Sequence, residues 1–373
     1  MALSGGIANE RVMDRQVATL GFILAGLVAI SGLLAWPMSM SGPGVVGLLI
    51  VGGAGGALLV TSVARHGGID AIPTAAVAGI GGSLALTGFL IGIFGYHELL
   101  GMREWIVNLG GVLVAGALIW VATALWRGTP AATIFRNGQI VALGAAVGAA
   151  GLYLGGMGAA IAVEISLLVG SIPDMYADFA LRQIGVGLGF VATALGFMWL
   201  TGRGMGYVDL KWPNWDDAKW TVIGLISVLA IAAVFAVILW LVNVPTTEHT
   251  LHRRGREHGP ELILLAIPFT WIGAVVGEEL LFRNGIQKYL TESLAAPAAI
   301  AVSSLIFALV HIPAYAPATP LPIAMAVVAI FTISLVLAVS YHTTQNVIVP
   351  MIIHGCYNMV VYVAIYLELV GAV

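Results

Sequence analysis

The chain has 373 residues, of which 60% are hydrophobic and 9% charged, with 48 glycines and a net charge of −3. Ordinary globular domains carry about 25% charged residues, so there is too little polar surface to cover a soluble particle, and a mean hydropathy of +1.02 makes the bilayer the expected solvent. The balance of 15 Lys and Arg against 18 Asp and Glu gives no phosphate-tracking surface for nucleic acid, and the single Cys356 excludes an intramolecular disulfide or a multi-cysteine metal site.

The polar stretch Met1 to Arg15 precedes an apolar run with no clear cleavage site, which is read as a retained first span. A crossing helix needs about 20 apolar residues, and the charges punctuate the chain at that interval. The expected spans in the first part are Gln16 to Met38, Pro43 to Ala64, Pro73 to Tyr96, Trp105 to Trp126, Gln139 to Val163 and Gln183 to Thr201. Those in the second are Trp220 to Val242, Glu261 to Phe282, Ala295 to Ile312, Leu321 to Tyr341 and Val347 to Leu367. The expectation is an all-α, polytopic membrane protein of about 11 transmembrane helices, with 10 to 12 allowed because Gln139 to Gly170 is long for one span and Glu164 interrupts it.

Within the spans, Gly52, Gly53, Gly55, Gly56, Gly148, Gly151, Gly155 and Gly156 suit close helix packing in lipid. Ser31 follows Ala29 and Ile30 where a rhomboid-type Gly-x-Ser-Gly would need a glycine first, and is read as a packing residue. The widest polar interval, Gly202 to Lys219, mixes charges with Trp212 and Trp215 as an interfacial segment does. It divides the chain into a multi-span region, 1–202, and a core, 203–373. The second polar interval, Thr246 to Pro260, is read as a solvated loop.

Ionisable groups inside a span are costly and by default functional. Glu278, Glu279 and Arg283 lie in one apolar run; Glu279 and Arg283 are i and i+4 and can pair, whereas Glu278 is rotated by about 100° and left free to take a proton from water. Phe307 and His311 are also one turn apart, so the ring can orient the imidazole, and His354 and Asn358 share a face. With the turn Thr291 to Ala296 at one membrane surface, Glu278 and His311 both fall roughly 22 to 25 Å from it, and His354 and Asn358 roughly 12 and 18 Å from it. These candidates therefore share one slab of the bilayer.

The strings GEELLFRNGIQ, SSLIFALVHIP and IIHGCYN, in this order, resemble the three motifs of the CPBP family, the CAAX proteases and bacteriocin-processing enzymes also called Abi. The resemblance spans about Arg203 to Val373, with Gly206 to Lys219 similar to the family's entry segment. It implies an intramembrane endopeptidase similar to the type II CAAX prenyl endopeptidases, in which Glu278 and His311 activate water. His354 and Asn358 would stabilise the oxyanion, and Glu279, Arg283 and Phe307 would support them. The family is described both as metal-dependent and as glutamate-type. A metal-free site is the expectation, with a divalent metal such as zinc on Glu278, His311 and His354 as the alternative.

The expected partners are membrane lipid and a peptide or protein substrate. Two other functions are weighed: a non-catalytic protein of this fold for bacteriocin immunity or binding, and an ion- or proton-coupled transporter. A transporter would place polar groups between two halves of the chain, whereas all these residues fall in one. The positive-inside rule is obeyed by Arg11, Arg15, Arg65, Arg127, Arg136, Arg203, Lys211 and Lys219 with a cytoplasmic N-terminus, but not by Arg253, Arg254 and Arg256. A site facing the cytoplasm is the expectation.

Overall fold

A computed structural model describes residues 129–168, 174–241, 249–315 and 320–372. The four spans expected between Gln16 and Trp126, with Ser31, lie outside these residues. The described elements are α1 (Ala131–Leu168), α2 (Met175–Leu200), α3 (Trp215–Leu241) and α4 (Thr250–His258). They continue with α5 (Glu261–Thr291), α6 (Ala296–Val310), α7 (Pro320–Thr344) and α8 (Ile348–Leu369), with short 3-10 turns at Met205–Tyr207 and Ile312–Tyr315. Among the described residues no strand occurs, and six helices, α1, α2, α3, α5, α7 and α8, are long and apolar enough to cross a membrane. The chain is a multi-pass membrane protein. The expected total of about 11 spans is not reached in the part described.

Three expectations need correction. The run Gln139 to Val163 is part of one continuous helix, α1, of 38 residues that carries Glu164 within it. At 1.5 Å per residue it is far longer than the hydrocarbon layer is thick, so it projects beyond the layer or tilts within it. The span expected at Ala295 to Ile312 is the 15-residue α6, which by the same rise reaches only about 22 Å and stops short of a full crossing. The interval Thr246 to Pro260 is not simply a loop, because Thr250–His258 forms the helix α4. The imidazole Nδ1 of His249 caps it by accepting the Leu251 amide at 3.1 Å. Leu251 and Gly255 are buried, the latter so close to Ile263 and Leu369 that a Cβ would overlap both side chains. One buried stripe therefore holds the helix while its charges occupy the other faces.

Residues 140–373 form a single compact unit. Lipid gives no hydrophobic drive between helices, so close backbone approach and dispersion must hold them together. The glycines of α2 supply that approach. A Cβ on Gly277 of α5 would come to 2.5 Å of the Gly187 carbonyl oxygen and 2.9 Å of Phe190 Cβ, and one on Gly187 would overlap the Gly273 carbonyl. Behind this contact Phe190, Phe197, Leu281, Phe282, Ile286 and Leu290 form a buried cluster. On α3, Trp215 and Trp240 are both largely exposed. They stand roughly 37 Å apart by helical rise, the separation of two interfacial aromatic belts.

The helix α5 is not uniformly α-helical. It turns π-helical at Thr270–Val275, returns to α at Val276–Glu279, and is π-helical again at Leu280–Gln287. Pro268, just before the first π segment, has no amide to return to the Leu264 carbonyl, which loosens the ladder at that point. Such bulges concentrate at functional sites. Here they flank Glu278 and Glu279.

A polar clasp closes one end of the unit. Lys288 Nζ donates to Asp209 Oδ1 and to the Tyr207 carbonyl, each at 2.7 Å, and Tyr341 donates to Asp209 Oδ2 at 2.6 Å. The Asp209 amide donates to Asn284 Oδ1 at 2.7 Å, and Arg203 pairs with Glu292. The interval Gly202 to Lys219 is thus fastened to α5 and α7 and frames the site from one side.

Candidate active site

Each sequence-predicted residue except Asn358 takes part in one connected arrangement. Glu279 and Arg283 are both sealed from solvent at 0% exposure and pair through Oε2 and Nε at 2.9 Å. Arg283 also donates to Ser334 Oγ of α7 at 2.9 Å. The second carboxylate oxygen of Glu279, Oε1, lies 2.8 Å from His354 Nδ1. Glu279 therefore joins α5 to α8, and one buried carboxylate fixes both the guanidinium and the imidazole. A buried charge is tolerated when it is paired and hydrogen-bonded in this way.

Glu278 leaves α5 about 100° round from Glu279 and reaches the other nitrogen of the same His354 ring. Its Oε2 lies 3.9 Å from His311 Nε2 and 4.0 Å from His354 Nε2, and its side chain keeps 12% exposure. Both separations exceed a hydrogen bond. They match the span of one oxygen atom hydrogen-bonded to both groups, since two bonds of about 2.8 Å meeting near a right angle reach about 4 Å.

His311 stands at the C-terminal end of α6, where its Nδ1 lies 2.7 Å from the Phe307 carbonyl oxygen. A carbonyl only accepts, so Nδ1 carries the hydrogen and, in the neutral ring, Nε2 presents a lone pair toward Glu278. Phe307 packs on His311 with ring centroids 4.5 Å apart, and also touches His354 at 5.8 Å and Phe282 at 5.1 Å. The Arg283 guanidinium carbon sits 4.8 Å from its ring centroid. Phe307 is therefore the packing centre of the site as well as the neighbour of one histidine.

Asn358 follows His354 by one turn of α8 and is half-buried. Among the described residues no three His, Cys, Asp or Glu side chains converge as the ligands of one ion do.

Several residues that position the site carried no signal in the sequence. Ser334 is an ordinary small residue of an apolar helix. Trp271 is pressed against α8 at Gly355, beside His354, so closely that a Cβ on Gly355 would fall inside the indole. The short α6 ends at the site, and the 3-10 turn Ile312–Tyr315 leads away from it beneath α4, where Thr250 donates to the Ala314 carbonyl at 2.7 Å.

Residues 260–360 match the family model of the Rce1-like proteins, described as type II CAAX prenyl endopeptidases. The matched stretch holds all seven motif residues, Glu278, Glu279, Arg283, Phe307, His311, His354 and Asn358. It agrees with the resemblance to the CPBP proteases that the three motifs carry, and the matched family points to a protease. No curated protein and no solved structure matches the chain.

Proposed function

We propose that this chain is an intramembrane endopeptidase that hydrolyses a peptide bond with a water molecule activated by Glu278 and His311. The observation that carries the proposal is the free Glu278 carboxylate facing two imidazoles, at 3.9 and 4.0 Å, while its neighbour Glu279 is locked in ion pairs. Water between these groups donates one hydrogen bond to Glu278 Oε2 and the other to His311 Nε2, leaving a lone pair for the substrate carbonyl carbon. As the oxygen attacks, the proton passes to Glu278, which then delivers it to the departing amine nitrogen. Glu278 is thereby base first and acid second, and ends the cycle as it began.

The negative charge that develops on the carbonyl oxygen is met by His354 and Asn358. His354 gives its Nδ1 hydrogen to Glu279, so its Nε2 can donate only when the ring holds a second proton. The Glu279 carboxylate at 2.8 Å is the group that accommodates the resulting cation. Asn358 adds an uncharged amide donor. Glu279, Arg283 and Phe307 hold these groups in register. The substrate is a peptide or protein reached through the membrane, with a prenylated C-terminal peptide as the class suggested by the matched family.

The test is purified protein in detergent against a peptide library that includes farnesylated peptides, with and without a chelator. Cleavage at defined bonds, undiminished by the chelator, is expected. Loss of cleavage on chelation with recovery on adding zinc would replace the metal-free mechanism, and no cleavage of any peptide would remove the hydrolase assignment.

A further inference from the structure

The helix α4 lies outside the stretch matched to the protease family, yet it packs on the turn that follows His311. Thr250 donates to the Ala314 carbonyl, and the His249 ring meets the Tyr315 ring edge-on at 5.2 Å. Ala314 and Tyr315 follow His311 directly in the 3-10 turn, and the Ala314 amide bonds back to the His311 carbonyl at 3.0 Å. Burial, with the neighbouring charges of His311, Arg253 and His252, pushes His249 down to about 4. His249 precedes Arg253 by one helical turn, and its ring packs on Tyr315, four residues after His311.

The faces of α4 divide cleanly. Leu251 and Gly255 enter the core, and His252 reaches Glu368 of α8 at 3.5 Å. Positions 250, 253, 254 and 257 share the face that Thr250 turns toward Ala314. On that face Arg253 and Arg254 are half-buried. Of the acids at this end, Glu368 lies 3.5 Å from His252 and Glu257 lies 4.0 Å from His258. Neither arginine has a carboxylate partner among the described residues. A half-buried arginine without a carboxylate partner is suited to an incoming carboxylate, which its planar fork of donors can meet with two hydrogen bonds.

We propose that Arg253, with Arg254 beside it, forms an anion subsite at the mouth of the active site and takes a carboxylate of the peptide on the water-facing side of the scissile bond. The subsite rests on the hydrolase assignment for its biological meaning, although peptide binding can be measured without turnover. The carboxylate has two sources, a free C-terminus or an Asp or Glu side chain, and both present the same planar pair of oxygens to the guanidinium. Arg253 is the nearer of the two to His249 and is assigned the main contact.

The experiment uses full-length Glu278→Gln protein, which holds peptide without cleaving it, and a farnesylated peptide with the modified cysteine four residues from its end. The peptide is made as the free acid and as the C-terminal amide, and a second amidated pair carries either Glu or Gln in the last three positions. The free acid, or the Glu-containing amide, is expected to bind roughly tenfold tighter than its uncharged counterpart, as a charge-assisted contact implies. That difference collapses in Arg253→Gln and is partly kept in Arg253→Lys, with Arg254→Gln as a second variant. Which pair shows the difference identifies the carboxylate.

Equal affinity within both pairs, absence of binding by all four peptides, or a charge preference that survives Arg253→Gln and Arg254→Gln would overturn the subsite. An Arg253 effect seen only on binding to anionic lipid vesicles would overturn it in favour of a headgroup contact. The hydrolase assignment fails separately, by intact peptide after incubation with the unmodified protein, even where Arg253-dependent binding is present.

Discussion

Gly355 offers a direct perturbation of His354 that touches no catalytic group. A Cβ there would come to 2.6 Å of Trp271 Cδ2 and closer still to Cε2 and Nε1. Carbon atoms rest at about 3.5 to 4.0 Å, so Gly355→Ala requires α8 and the indole to separate by at least about 1 Å. Overpacking of this kind costs about 1 to 3 kcal/mol. The larger effect falls on chemistry: His354 is the preceding residue, and its 2.8 Å bond to Glu279 and 4.0 Å approach to Glu278 cannot both survive such a shift. A misplacement of about 1 Å costs on the order of 100-fold in rate. The assay is peptide cleavage and thermal melting of Gly355→Ala, Trp271→Leu and the double variant. The double variant is expected to regain most of the activity that Gly355→Ala loses, giving a coupling of about 1 kcal/mol or more. Strictly additive losses would refute the reasoning, because the alanine would then act through something other than the indole.

Three further outcomes follow from the packing and the charges. Gly277→Ala sets a Cβ against the Gly187 carbonyl, a backbone atom that cannot rotate away, so melting should drop by the equivalent of about 1 to 3 kcal/mol and cleavage should fall with it. Arg283→Met leaves the sealed Glu279 carboxylate without its guanidinium and should destabilise by about 3 to 5 kcal/mol, measured by denaturation in mild detergent. Adding Glu279→Gln to it should restore stability but not activity. At the clasp, burial pushes the Glu292 carboxyl up, but hydrogen bonds from Arg203 and Tyr207 outweigh it and hold the group below the usual carboxylate range. The stabilisation is therefore complete above the ordinary carboxylate value and is lost as pH falls through the depressed one. Since Glu292 is 41% exposed, screening limits it to below about 1 kcal/mol, and Arg203→Gln should flatten the acid limb of a melting-versus-pH curve by that amount.

Helical spacing made part of the site legible in advance. The pairing of Glu279 with Arg283, the separate orientation of Glu278 and the packing of Phe307 on His311 are all consequences of residues one turn apart. Helical rise, applied to each span from one surface, placed Glu278 and His311 at one depth and His354 roughly 10 Å shallower in the same slab, and the side chains approach to about 4 Å. The bond from His354 to Glu279 was not legible, because it joins residues 75 apart through the relative rotation of two helices. Nor were the π segments: Pro268 announces a weakened ladder, but tertiary contacts at Gly273 and Gly277 decide how the backbone widens. α4 was hidden by its charges, since its buried stripe consists only of Leu251 and Gly255 and gives little apolar periodicity. Trp271 against Gly355 is a fit between surfaces that no local pattern encodes.

The central claim is that Glu278 activates the hydrolytic water while Glu279 serves structure. The measurement is the single-turnover cleavage rate of Glu278→Gln against the unmodified protein, on the best peptide from the library, with melting of both recorded. A loss of about 1,000-fold or more is expected, in keeping with removal of a general base, at a melting temperature close to that of the unmodified protein. A Glu278→Gln protein that stays folded and cleaves within about tenfold of the original rate, a change of only about 1.4 kcal/mol in the barrier, would contradict it.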